Sequence, residues 1–171
     1  MGTKGSIGRL RDKVRTSLRR GGTPSGGRAG RAGSAAAGTS APAPNRDGVV
    51  VSYAPERDGE PDPGEVVWAW VPYEDDPTQG KDRPVLILGH AGRQLAGVQL
   101  SSKDHSDRQD AHEWVPVGRG GWDRENRESY ADASRLLRLD PASVRREGAA
   151  LHEDRFQEVH ARVRALHDWD S

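Results

Sequence analysis

The chain has no cysteine, and aromatic side chains make up only 5% of its 171 residues. Without thiols there is no disulfide, no thiolate nucleophile and no Cys-based zinc site. No apolar run approaches the roughly 18–20 residues that span a bilayer. The N-terminus also lacks the apolar stretch of a secretory signal. The sequence therefore reads as a cytoplasmic protein with no integral membrane association. Hydrophobic residues reach only 33%, which is low for a chain folded throughout, so part of it is expected to have no core.

Acid is also missing from one region. Residues 1–46 hold ten Lys/Arg and one acid, Asp12, while the remaining 125 residues hold 16 basic and 25 acidic groups. The formal net charge of zero is thus the sum of +9 and −9. That split describes a basic tail on an acidic domain. Ile7, Leu10, Val14 and Leu18 lie at helical spacing. Residues 5–20 are either a disordered basic tail or a short amphipathic helix for an anionic partner. Residues 21–63 are rich in Gly, Ala, Ser, Thr and Pro and read as a linker. Within it, "GVVVSYAP" (48–55) is a stray strand signal cut short by "ERDGEPDPG". The division expected is a tail and linker over 1–62 and one folded domain over 63–171.

That domain shows strand signals at "EVVWAWVPY" (65–73), "PVLILG" (84–89), "LAGVQLSS" (95–102), "HEWVPV" (112–117) and "ASRLLRLDP" (133–141). Phe156, Val159, Val163 and Leu166 recur at three, four and three, which predicts a C-terminal helix. Five short strands and one late helix predict an α+β, mainly-β fold: a small barrel closed by a helix. His152, His160 and His167 fall near one face of that helix, where a solvated face is expected rather than a metal site.

The order "GEVVWAWVPY", polar loop, "RPVLILG", "VQLSS", "YADASRLLRLDP" and terminal helix resembles the PemK/MazF toxin family over roughly residues 63–167. The resemblance implies an SH3-like barrel, usually a homodimer. It implies a metal-independent endoribonuclease that cuts single-stranded RNA and needs no cofactor. It further implies a cognate antitoxin that blocks the groove, and a toxin–antitoxin complex that binds operator DNA. The family's Arg of the "RP" motif falls on Arg83, its strand-closing Thr or Ser on Ser101 or Ser102, and its later Asp on Asp132.

Such chemistry uses the RNA's own 2′-OH as nucleophile. The protein must hold the attack geometry, move protons and stabilise charge on phosphorus-bound oxygens. Arg83 suits the charge role, because a guanidinium stays protonated and donates two parallel hydrogen bonds to phosphate. A serine hydroxyl can donate to the same phosphate. Asp132 either accepts the 2′-OH proton, orients Arg83, caps a turn or pairs with Arg135. His105 is a candidate for proton transfer beside substrate. For RNA to be drawn to the acidic body, either Lys103, with Arg83, Arg93 and Arg119, makes a local basic groove or the +9 tail supplies the attraction, and Trp122 either stacks on a base or packs on the domain. Two features depart from the family pattern: Tyr130 occupies a place where some members carry a basic residue, and the loop 118–130 is long and charged. The alternative reading is a non-catalytic SH3-like module that binds nucleic acid or protein. A third makes the basic tail the functional part, tethering the domain to a membrane or the nucleoid.

Overall fold

The computed structural model of the chain describes residues 42–56, 58–145 and 149–170. The tail and its possible helix over 5–20 lie outside the described residues. Seven strands and one helix follow in order: β1 (Val50–Val51), β2 (Val66–Pro72), β3 (Gly80–Ala91), β4 (Gln94–Ser101), β5 (Trp114–Gly118), β6 (Ser129–Asp132), β7 (Leu137–Leu139) and α1 (Glu153–Leu166). All named pairings are antiparallel. The sheet curls into a small SH3-like half-barrel with a C-terminal helix, the fold class expected. Among the described residues no helix is long and apolar enough to cross a membrane.

The hairpin of β3 and β4 is the spine. Each of its strands is longer than any neighbour, so short strands share its edges end to end. β1 and β2 both pair with β3, while β6 and β7 both pair with β4. Side-chain alternation then fills two cores. Val66, Leu86, Leu88, Val98 and Leu100 face one cluster, which Phe156, Val159 and Val163 of α1 complete. Val67, Ala69, Val71, Val85, Ile87, Leu137 and Leu139 form the other. Glu153 and Asp154 occupy the first turn of α1, where carboxylates favour the helix dipole. Leu166, the last residue of the predicted apolar stripe, is exposed.

Three differences from the sequence expectations have physical causes. The segment 48–55, assigned to the linker, supplies β1. Val49 is buried in the main core, and Tyr53 packs on Phe156 with ring centroids 5.2 Å apart and tilted by 56°, and donates its hydroxyl to the Leu151 carbonyl. β1 can approach because residue 89 is glycine: a Cβ there would lie 2.1 Å from the Val50 carbonyl oxygen. The compact unit containing the barrel accordingly spans Thr39–Ser171. Second, of the strand expected over 133–141 only β7 is extended, and a strand not expected from the sequence, β6, precedes it. The Asp132 carboxylate accepts from the Ser134 N–H and hydroxyl, an Asx-type turn that interrupts the extended chain. Third, "HEW" begins as a 3-10 turn, Ala111–Glu113, and only Trp114 starts β5.

The helix histidines do not share a solvated face. His152 is exposed, but His160 packs near Phe156 and Trp169, and a ring nitrogen of His167 lies 3.1 Å from the Ala133 carbonyl.

Candidate functional site

A cleft of about 630 Å³ opens where β3 begins and β4 ends. β3 contributes Lys81, Asp82, Arg83 and Pro84. The close of β4 and the turn after it contribute Leu100, Ser101, Ser102 and Lys103. The loop 118–130 contributes Gly121, Trp122, Asp123, Arg124, Glu125, Arg127 and Ser129, and Trp68 and Arg145 complete the wall. The cleft thus gathers Arg83, both serines, Lys103 and Trp122. It does not gather Asp132 or His105.

Arg83 is part-buried on β3, opposite Ala69 in β2, two residues before the pairing with β4 begins at Val85. Among the described residues its guanidinium has no ion pair and no hydrogen-bond acceptor, and the same holds for the ammonium groups of Lys81 and Lys103. The other cations are engaged. Arg145 pairs with Asp82 at 2.8 Å, and Arg127 pairs with Asp123 at 2.8 Å and Glu125 at 2.9 Å. The Arg127 hydrogen bond holds the Asp123 carboxyl below its ordinary pKa. Six cations face three carboxylates in the cleft, so an acidic domain carries one locally basic surface. Arg93 and Arg119, expected there, are elsewhere: Arg93 sits in the exposed β3–β4 turn and Arg119 pairs with Glu128.

Ser101 Oγ accepts from the Lys103 N–H at 3.1 Å, which leaves its hydroxyl hydrogen available. Ser102 is exposed beside it. Trp122 is only 3% exposed and donates its indole N–H to Ser129 Oγ at 3.1 Å. It is a core residue whose edge reaches the cleft, which corrects the picture of a ring free to stack on a base.

Asp132 is buried on β6. One carboxylate oxygen accepts from Gln99 Nε2 at 2.9 Å, and the other is taken by Ser134. Arg135, weighed as its partner, pairs instead with Glu74 at 3.5 Å. Asp132 therefore braces β6 against β4. His105 is also buried. It lies flat on Trp114, with ring centroids 3.6 Å apart, and neither ring nitrogen has a hydrogen-bond partner. Burial, helped by the charges of Asp104 and Glu128, raises the Tyr130 hydroxyl pKa, so this phenol stays neutral at ordinary pH. Among the described residues, no group of three His, Asp or Glu side chains is placed to hold a metal ion.

Lys81 was legible in principle. It lies two residues before Arg83, and only the early start of β3 at Gly80 puts both on one strand. Arg124 and Arg127 arrive with the loop. Arg145 arrives through a backbone bridge to Trp68, with N–H···O distances of 2.7 and 2.8 Å in the two directions. No local sequence signal marks that bridge.

Residues 62–167 match the family described as the PemK-like, MazF-like toxin of type II toxin–antitoxin systems. Among curated proteins, none matches the chain by sequence. A solved MazF from Deinococcus radiodurans is similar in fold: TM-score 0.50, 20% identity, covering 65% of this chain and 99% of that one. A MazE–MazF structure from the same organism matches at TM-score 0.46 and 21% identity, over 65% of this chain and 98% of that one. A mycobacterial endoribonuclease solved with its cognate antitoxin matches at TM-score 0.46 and 14% identity, over 63% and 95%. With the family match covering more than half of its length, the chain belongs to the PemK-like, MazF-like toxin family of type II toxin–antitoxin systems.

Proposed function

We propose that the chain is an endoribonuclease that cuts single-stranded RNA without a metal ion. The observation that carries this reading is Arg83: among the described residues an unpaired guanidinium, set on a strand paired with β2 at that position, opening into a basic cleft beside two serines. A strand holds a cation more rigidly than a loop tip does. In the reaction, the 2′-oxygen attacks the adjacent phosphorus and the P–O5′ bond breaks. The 2′-OH proton leaves and the departing 5′-oxygen gains one, giving a 2′,3′-cyclic phosphate and a 5′-OH end. Arg83 donates two hydrogen bonds to the non-bridging oxygens as their charge grows, and Ser101 or Ser102 donates a third. Lys103 holds a flanking phosphate.

The same reading makes the active form a homodimer in the cytoplasm, held in check by a cognate antitoxin, with operator DNA bound by the pair. A second reading, the non-catalytic binding module, is favoured by one observation. Among the described residues every carboxylate in the cleft is paired with an arginine and no imidazole lines it, so none of them stands ready as a free general base.

Incubating purified, antitoxin-free protein with long mixed-sequence RNA in EDTA, and mapping the ends, separates the two. Discrete cuts with the ends above, reduced about 10²–10³-fold by Arg83→Ala, are the expected result. Stability should stay within about 0.5 kcal/mol, since that cation has no partner to lose. Intact RNA from folded wild-type protein would leave the binding module as the function.

A further inference from the structure

Trp70 is 57% exposed, the most exposed large hydrophobic side chain among the described residues. The ribonuclease reading gives it no role. On β2 it lies two residues beyond Trp68, so both side chains leave the same face of the strand, and Trp68 lines the cleft. Across the ladder Trp68 faces Pro84 and Trp70 faces Asp82, with Gly80 two pairs further along, opposite Pro72. Gly80 matters here. A Cβ at that position would lie 2.8 Å from Cε2 and Nε1 of the Trp70 indole. The ring thus rests on bare backbone, held from beneath, while much of its surface faces solvent. The Lys81 ammonium, which lines the cleft, has no partner of its own.

We propose that Trp70 is a base-stacking platform that extends the RNA cleft along β2 by one nucleotide. The inference rests on the RNA reading above. Its physical terms are those of single-strand recognition, where cations track the backbone and aromatic faces take splayed bases. Two residues of strand set the Cα atoms of Trp68 and Trp70 about 6.8 Å apart, roughly twice the 3.4 Å step of a stacked helix. Bases reaching both rings must therefore come from an extended strand. A protein occupant fits less well. Trp68, on the same face of β2, lines a cleft whose cations outnumber its carboxylates, which matches phosphate.

The test uses a nested length series of mixed-sequence 2′-O-methyl RNAs, which the proposed chemistry cannot cut, and full-length protein. Binding is read by fluorescence anisotropy for wild type, Trp70→Ala and Trp70→Phe, with mass by light scattering and melting temperature alongside. Stacking predicts a loss of roughly 5- to 150-fold for Trp70→Ala on the longer probes, little loss on the shortest probes that still bind, and recovery of most of the affinity in Trp70→Phe. The melting temperature and mass should not move. If wild type binds and Trp70→Ala binds equally at every length, the platform is overturned and the ribonuclease reading stands. If Trp70→Ala changes the oligomeric mass, the ring belongs to a protein interface and the platform is overturned. If wild type binds no RNA at any length, both readings fall together.

Discussion

Val49→Ala tests whether the segment before residue 63 is part of the domain or an appendage. Val49 is 1% exposed and packs in the main core, which it shares with Leu86, Leu88 and Leu151. Asn45 positions it: the Asn45 side-chain oxygen accepts the Val49 N–H at 2.9 Å, closing a turn through Gly48 at φ +70°. Truncation to alanine removes two buried methyl groups, about 1.6 kcal/mol of transfer free energy. The cavity left behind raises the loss to about 2–3 kcal/mol. For a domain of this size that lowers the melting temperature by roughly 8–12 °C. Thermal unfolding followed by circular dichroism reads the shift, and urea titration should show a lower midpoint at unchanged slope. A melting temperature within about 2 °C of wild type, the behaviour of a surface site, would show that β1 does not pack on β3 in solution.

The other expectations concern individual side chains. Trp122→Phe strands the buried Ser129 hydroxyl, so it should cost about 1–3 kcal/mol while changing RNA affinity only modestly; a large affinity loss without destabilisation would return Trp122 to base stacking. Asp132→Asn can keep one oxygen on Ser134 and meet a reoriented Gln99 amide. Cleavage should therefore persist within several-fold, whereas a drop of about 10²–10⁴ would make Asp132 the proton acceptor despite its burial. Burial of His160 beside Phe156 and Trp169 lowers its pKa from 6.5, with the Arg164 charge adding to the effect. Below 6.5 the unfolded chain binds a proton that the folded chain resists, so this stability is present above 6.5 and is lost as pH falls towards the folded value. Urea melts at about pH 7 and about pH 5 should show a smaller difference for His160→Gln than for wild type; equal differences would refute the assignment.

The sequence by itself determined the elements that repeat locally. Alternating Val and Trp in β2, the aliphatic run of β3 and the three-four spacing in α1 each follow from one stretch of chain. The order of those stretches was enough to identify the family. It also singled out Arg83, because Arg-Pro before an aliphatic run marks where a strand leaves solvent. Tertiary structure decided what depends on residues far apart in sequence. Val49 and Tyr53 look like linker until Gly89 admits β1 and Phe156 meets the ring. Asp132 and His105 look catalytic on the page. Both are drawn inside instead, one by hydrogen bonds from Gln99 and Ser134, the other by stacking on Trp114. The cleft's charge is likewise a tertiary property. An acidic body acquires a basic groove because curling the sheet sets Lys81, Arg83 and Lys103 together without carboxylates of their own, an outcome that net charge, a sum over the chain, does not contain.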